Sequence, residues 1–217
     1  MADKEYLSRI ADDELALRLE AFGAVQIKGP KWCGKTTTAE QQAKSFIKLQ
    51  DPDKREGYLA TARTKPSILL KGETPRFIDE WQDVPILWDA VRNAVDQRGL
   101  KGQFILTGST VIKNNGDEDT PEEHRQMHTG TGRIATMTMY PMSLYESKES
   151  SGEISFLELF DNKSLDIDGI TSKLSIEELI MLACRGGWPD SLNVKSERAQ
   201  LLIAKDYLNK VCEDDIS

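Results

Sequence analysis

One run of eight residues constrains this chain more than any other: residues 29–36 read GPKWCGKT. The run matches G-x-x-x-x-G-K-[ST], a loop whose backbone N–H groups surround a phosphate. Residues 24–27 form an apolar, strand-length stretch before the loop, and residues 35–48 are predicted to form the helix that follows it. Strand, glycine loop and helix in this order predict the start of a parallel α/β unit.

The fixed positions of the loop each have a chemical reason. Gly29 and Gly34 allow the backbone to turn its N–H groups inward, Lys35 can reach the β- and γ-phosphates, and the hydroxyl of Thr36 can bind Mg²⁺. The next helix points its positive N-terminus at the same anion. We therefore expect ATP to be bound by the whole loop and the next residue: Gly29, Pro30, Lys31, Trp32, Cys33, Gly34, Lys35, Thr36 and Thr37.

Two loop residues allow alternatives. Trp32 either stacks on a nucleotide base or points away from it. Cys33 lies between two lysines, which can lower the pKa of a thiol and make it reactive, or it simply fills space.

Two acids end the second predicted strand, residues 76–79, where Asp79 is followed directly by Glu80. Ligands of open parallel sheets bind at the carboxyl ends of strands, which places these acids beside the phosphate loop. We expect Asp79 to hold Mg²⁺, and Glu80 to orient and deprotonate the water that attacks the γ-phosphate. A carboxylate poised on water favours hydrolysis over transfer to a small substrate, although acid pairs also simply end strands at the surface.

The remaining predicted strands add two candidates. Thr107 ends the third strand, residues 103–107, and is expected between the other two strand ends, where it holds water or phosphate or only caps the turn. Arg133 precedes the fourth strand, residues 134–140. It either stabilises γ-phosphate charge, in its own site or a neighbour's, or is a surface residue. His128 is predicted to be a solvated loop residue.

Strands that alternate with helices predict an α/β fold of the P-loop NTPase type, with a mostly parallel sheet flanked by helices. After Pro141 the pattern changes, and helices are predicted over residues 175–183 and 197–211. The predicted domains are a P-loop domain, residues 1–145, and a mainly helical appendage, residues 146–217.

Composition excludes several classes of protein. A net charge of −8 argues against binding duplex nucleic acid through overall charge. No apolar run approaches the roughly 18 residues of a membrane span. The three cysteines are far apart and lack metal-ligand spacing, so we expect a cytoplasmic protein without disulfides.

Several longer motifs carry a family resemblance: GPKWCGKTTTA, PRFIDEWQDVPILWDAVR, GQFILTGST, HTGTGRIATMTMYPMSLYES and RGGWPDSL. In this order they resemble bacterial AAA+-type ATP-binding proteins, which join an N-terminal ATPase domain to a C-terminal domain of unknown function. The resemblance spans about residues 5–217. Its family-specific parts are the Trp81-Gln82 pair, LTGS, GR, PMSLYES and GGWP. The family's C-terminal domain resembles restriction-endonuclease folds and runs past residue 217, so we expect a truncated chain without nuclease chemistry.

The resemblance implies that Gly34, Lys35 and Thr36 contact phosphate and Mg²⁺, that Asp79 is the acid on the metal side, and that Glu80 is the catalytic base. It makes Thr107 the sensor at the third strand end, where AAA+ proteins more often have Asn. Arg133 matches the family's GR position, and AAA+ geometry implies an arginine-finger role there, which in a homo-oligomer would act on a neighbouring subunit.

We therefore expect Mg²⁺-dependent ATP binding and slow hydrolysis, coupled to a conformational change in a C-terminal domain or in a protein or nucleic-acid client. The alternative is a nucleotide-gated interaction switch with little turnover. A small-molecule kinase is disfavoured, because no arginine-rich lid follows the third strand. ATP is favoured over GTP, because no Asn/Lys-x-Asp signature appears.

Overall fold

The computed structural model describes residues 6–109, 130–161 and 168–215. Two compact units divide the chain: one is Ile10–Tyr140, and the other combines Met1–Arg9 with Pro141–Ser217. The domain assignment made from the sequence, residues 1–145 and 146–217, stays a prediction. No helix in the described ranges has the length and apolar character that a membrane crossing requires.

The first unit alternates helices and strands. Its helices are α1 (Ile10–Ala21), α2 (Lys35–Gln42), α3 (Arg55–Thr64) and α4 (Ile86–Arg98), with 3₁₀ turns at Pro66–Ile68 and Trp81–Asp83. Its strands are β1 (Ala24–Gly29), β2 (Ser45–Lys48), β3 (Arg76–Asp79), β4 (Phe104–Ser109) and β5 (Ile134–Thr138).

The five strands form one parallel sheet in the order β2-β3-β4-β1-β5. Strand β4 lies between β1 and β3, since Phe104 is in register with both Ala24 and Arg76. The predicted α/β fold of the P-loop type is thereby confirmed. Because the strands run the same way, their carboxyl ends share one edge of the sheet, and the predicted site residues of β1, β3 and β4 meet there.

The core of this unit holds the sheet and α4 together. Burying a Leu, Ile or Phe side chain contributes about 1.5–3 kcal/mol. The rings of Trp81 and Trp88 lie 4.9 Å apart at the end of α4 nearest the site. The fully buried residues of this core come from the strands and α4: Ala24, Ile78, Leu87, Val91, Phe104 and Leu106.

The prediction of a helix over residues 35–48 is wrong beyond Gln42. At Ala43 the backbone becomes extended (φ −81°, ψ 142°), and β2 follows. Two stabilising interactions outweigh the helix propensity of these residues. Strand β2 hydrogen-bonds to β3, and Ile47 is only 2 % exposed in the core while Phe46 faces outward.

The second unit is mainly helical, as predicted. It contains α5 (Phe156–Asp161), α6 (Ile176–Arg185) and α7 (Glu197–Lys210), a 3₁₀ turn at Pro189–Asn193 and a π-helical turn at Val211–Asp215. Ser175 caps α6 by accepting from the Glu178 N–H, and Glu178 reciprocates at the Ser175 N–H.

Two ion pairs, one buried and one partly buried, stabilise this unit. Arg9 bonds Glu146 at 2.9 Å, and Arg185 bonds Glu149 at 2.6 Å. Burial alone would raise the pKa of Glu149, but hydrogen bonds from Arg185 and Ser147 bring that pKa below its ordinary value.

Candidate phosphate-binding site

The loop between β1 and α2 is folded tightly at the carboxyl edge of the sheet. A methyl group on Gly29 would lie 2.2 Å from the carbonyl oxygen of Met139, so no side chain fits there. Gly34 has a φ of 102°, in the left-handed region that favours glycine. Both glycines of the motif are therefore required by the geometry of the loop.

The N-terminus of α2 faces this loop. Gly34 is the N-cap residue and offers no side chain, and the first helical bond runs from the Thr38 N–H to the Gly34 carbonyl at 3.0 Å. The N–H groups of residues 35–37 precede that bond and have no intrahelical partner. They and the positive end of the helix dipole form a site suited to an anion.

Lys35 supplies a positive charge to the same place. Its side chain is buried, and Nζ donates to the carbonyl oxygens of Gly29 at 3.0 Å and Pro30 at 2.8 Å. An ammonium group has three donors, so these bonds leave one for an anion. Lys35 is thus held against the phosphate loop, where the sequence predicted that it contacts phosphate.

Asp79 connects the loop to the centre of the sheet. Its Oδ1 accepts from Thr36 Oγ1 at 3.1 Å and from Thr107 Oγ1 at 2.5 Å. The Thr36 hydroxyl and the Asp79 carboxylate are oxygen ligands of the kind that Mg²⁺ binds. Thr107 lies on β4, between the other two strand ends as predicted, but its hydroxyl proton points to Asp79. Its role toward water or phosphate stays a prediction.

Glu80, the predicted base, has an unusual backbone. Its φ of 53° and ψ of 48° are left-handed, which costs about 1–3 kcal/mol for a residue other than glycine. Its carboxylate oxygen Oε2 accepts a hydrogen bond from Nε2 of Gln82, in the 3₁₀ turn that follows. Strain of this kind clusters at functional sites, which agrees with the chemistry expected of Glu80.

Arg133 lies at the amino ends of the strands, opposite the carboxyl ends where the phosphate loop lies. Its carbonyl accepts from the N–H of Ala24, at the amino end of β1, and its guanidinium Nε contacts both oxygens of Asp96 at 2.7 and 2.8 Å. The five residues of β5 separate this edge from the site by about 16 Å. The geometry therefore does not support a role of Arg133 in its own site, and a role in a neighbouring subunit stays a prediction.

The other predicted loop residues differ in exposure. Lys31, Trp32 and Thr37 are exposed, whereas Cys33 is fully buried with Sγ 3.7 Å from the Met139 carbonyl oxygen. The burial of Cys33 favours its interpretation as filler. His128 lies outside the described residues.

A protein-family model described as an AAA domain matches residues 21–148, more than half of the chain. The chain belongs to the AAA domain family. AAA domains are P-loop ATPase domains, and the match covers the phosphate loop, the acidic end of β3 and all five strands. A search of curated proteins gave no match to this AAA domain or to the rest of the chain.

The sequence indicated no role for two residues beside the phosphate-binding site: Gln82, which contacts Glu80, and Gly108, which follows Thr107 in β4. A methyl group on Gly108 would lie 2.5 Å from Gln82 Oε1, so the Gln82 amide packs directly against Gly108. Both belong to motifs that carry the family resemblance, Trp81-Gln82 and LTGS. That was their only signal, because neither residue type indicates a site by itself.

Proposed function

We propose that the AAA domain binds MgATP and hydrolyses it slowly. One observation carries the proposal: the hydrogen bond between Thr36 and Asp79 joins the phosphate loop to the acidic end of β3. Lys35 directly precedes Thr36 in the sequence, and Glu80 directly follows Asp79. This supports the proposal, because the Lys35 ammonium, the Thr36 and Asp79 oxygens that would bind Mg²⁺, and Glu80 as the proposed base all belong to the carboxyl ends of the strands.

Each residue has a distinct task. The Lys35 ammonium and the N–H groups of residues 35–37 bind the β- and γ-phosphates and offset their charge. Thr36 and Asp79 would hold Mg²⁺, which supplies further charge neutralisation on the phosphates. Glu80 accepts the proton of the attacking water as the water oxygen bonds to the γ-phosphorus and the bond to the bridging oxygen breaks. The products are ADP and inorganic phosphate.

Slow turnover of the single chain follows from the position of Arg133. The Lys35 ammonium contacts the phosphate loop, whereas Arg133 pairs with Asp96 at the amino ends of the strands. An arginine finger contributes roughly 10³–10⁵ in rate. We therefore propose that full activity requires a homo-oligomer in which Arg133 reaches a neighbouring site.

The same proposal covers the wider role. Nucleotide turnover would change the conformation of the helical unit, of a C-terminal domain resembling restriction-endonuclease folds, or of a protein or nucleic-acid client. A bacterial origin is the expectation that goes with the family resemblance, and a cytoplasmic location is the expectation that goes with the cysteine content.

Calorimetric titration with MgATP tests the binding step. We expect heat of binding for the wild type and none for Lys35→Ala. Lys101→Ala is the matched control, because it removes the same charge from an exposed side chain next to the amino end of β4. Equal binding by the Lys35 and Lys101 variants would refute the assignment of the loop.

Phosphate release tests hydrolysis separately. Glu80→Gln keeps the shape of the side chain and removes the base, and a general base contributes about 10²–10⁴ in rate. We expect release to fall by at least 10²-fold while MgATP still binds. Unchanged release would contradict the role of Glu80, and binding without release in the wild type would favour the nucleotide-gated switch.

A further inference from the structure

Gln82 holds the carboxylate of Glu80 through a single polar contact. Its Nε2 donates to Glu80 Oε2. An ionised carboxylate only accepts hydrogen bonds, so the NH₂ end of the amide must face Glu80 and the carbonyl end must face away. The contact therefore fixes the orientation of both side chains.

Gly108 makes this contact possible. The Gln82 amide lies over Gly108 at the end of β4, and a methyl group there would stand 2.5 Å from Oε1 and 3.3 Å from the amide carbon. The φ of Gly108 is not positive, so its backbone would accept alanine. Glycine is thus needed at this position for the space it leaves to Gln82, and not for its conformational freedom.

The arrangement has two costs for the fold. Gln82 Oε1 is buried with no hydrogen-bond partner, which costs about 1–3 kcal/mol. Glu80 also keeps its left-handed backbone. A glutamine serving stability alone would satisfy both ends of its amide, whereas this one satisfies only the end that contacts Glu80.

We infer that Gln82 is a positioning residue, which holds Glu80 where its carboxylate can deprotonate the attacking water. Gly108 leaves the space in β4 that the Gln82 amide occupies. The inference rests on the proposed hydrolysis. Gln82 occupies one carboxylate oxygen, Oε2, and leaves Oε1 to accept the proton of the water. Loss of the contact frees the Glu80 side chain to rotate, and a misplacement of about 1 Å can cost 10²-fold in rate.

Kinetics of phosphate release test the role. Gln82→Met keeps the length of the side chain without a donor, and we expect kcat to fall about 10- to 100-fold with KM for MgATP unchanged. Gly108→Ala removes no polar group, yet it should lower kcat to the same extent by displacing the amide. Unchanged kcat in either variant, with thermal unfolding like that of the wild type, would overturn the inference.

A double-mutant cycle separates this role from a general loss of stability. With Gln82→Ala the amide is gone, so adding Gly108→Ala should change kcat by less than about twofold. Independent effects that multiply would refute the coupling.

A nucleotide-free measurement separates this inference from the proposed function. In protein labelled with ¹⁵N-glutamine, the side-chain NH₂ signal that disappears in Gln82→Met should shift in Glu80→Ala. No shift overturns the inference directly. If the wild type releases no more phosphate than Glu80→Gln, hydrolysis itself fails. If it does release more but Gln82→Met equals the wild type, only the positioning role fails.

Discussion

Thr107 offers the sharpest test of how the site is held together. Its side chain is fully buried on the central strand β4, and Oγ1 donates to Asp79 Oδ1 at 2.5 Å. Thr107→Val keeps the shape and removes the donor. A hydrogen bond to a charged group contributes about 1.5–3 kcal/mol. Thr36 still donates to the same oxygen, so we expect a loss near the lower end of that range.

Differential scanning calorimetry without nucleotide measures this loss. For a chain of this length each kcal/mol lowers Tm by roughly 2–4 °C, so Thr107→Val should lower Tm by about 3–6 °C. The loss occurs although valine is the more apolar side chain and would otherwise gain from burial.

The control places the same substitution in an Asp79→Ala background. With the acceptor removed, Thr107→Val should cost nothing or raise Tm, because an unpaired buried hydroxyl is then replaced by a methyl group. Equal losses in both backgrounds would refute the reasoning, and so would a Thr107→Val chain as stable as the wild type.

Three further predictions concern the phosphate loop, α3 and the helical unit. Gly29→Ala forces a methyl group against the Met139 carbonyl and should lower stability by about 1–3 kcal/mol in urea unfolding and weaken MgATP binding. Gly57→Ala, in open space within α3, should instead raise stability. Because hydrogen bonding to Arg185 leaves the pKa of Glu149 lowered, the pair stabilises the fold above the unfolded pKa of about 4.3. That contribution should disappear as pH falls through the lower folded pKa, and Glu149→Gln should flatten this part of the stability profile.

The phosphate loop and strand ends could be predicted from the sequence because their signals are local. Gly29 lies at the end of an apolar strand, Gly34 lies at the fixed spacing before a helix, and Asp79 is the last residue of a strand whose middle residues are buried. Parallel strands then bring these positions to one edge without further information. The position of Thr107 between the other strand ends followed from the same rule.

The features that the sequence did not predict depend on contacts that no local pattern encodes. Strand β2 has neither Gly nor Pro before it, and only its pairing with β3 and the burial of Ile47 distinguish it from the end of a helix. The ion pair of Arg133 with Asp96 joins residues 37 positions apart in the chain, so the sequence alone did not indicate it. The contact of Gln82 with Gly108 likewise joins two separate strand ends.

The sheet order also has a consequence for how the chain assembles. Strands β1 and β3 do not pair with each other, and β4 fills the gap between them. Both strands that pair with β1, namely β4 and β5, come later in the chain, so β1 cannot join β2 and β3 until residues 104–109 are available. Such non-local pairing slows folding. The strand that closes the gap also delivers Thr107 to Asp79, so the site is completed in the same event that makes the sheet continuous.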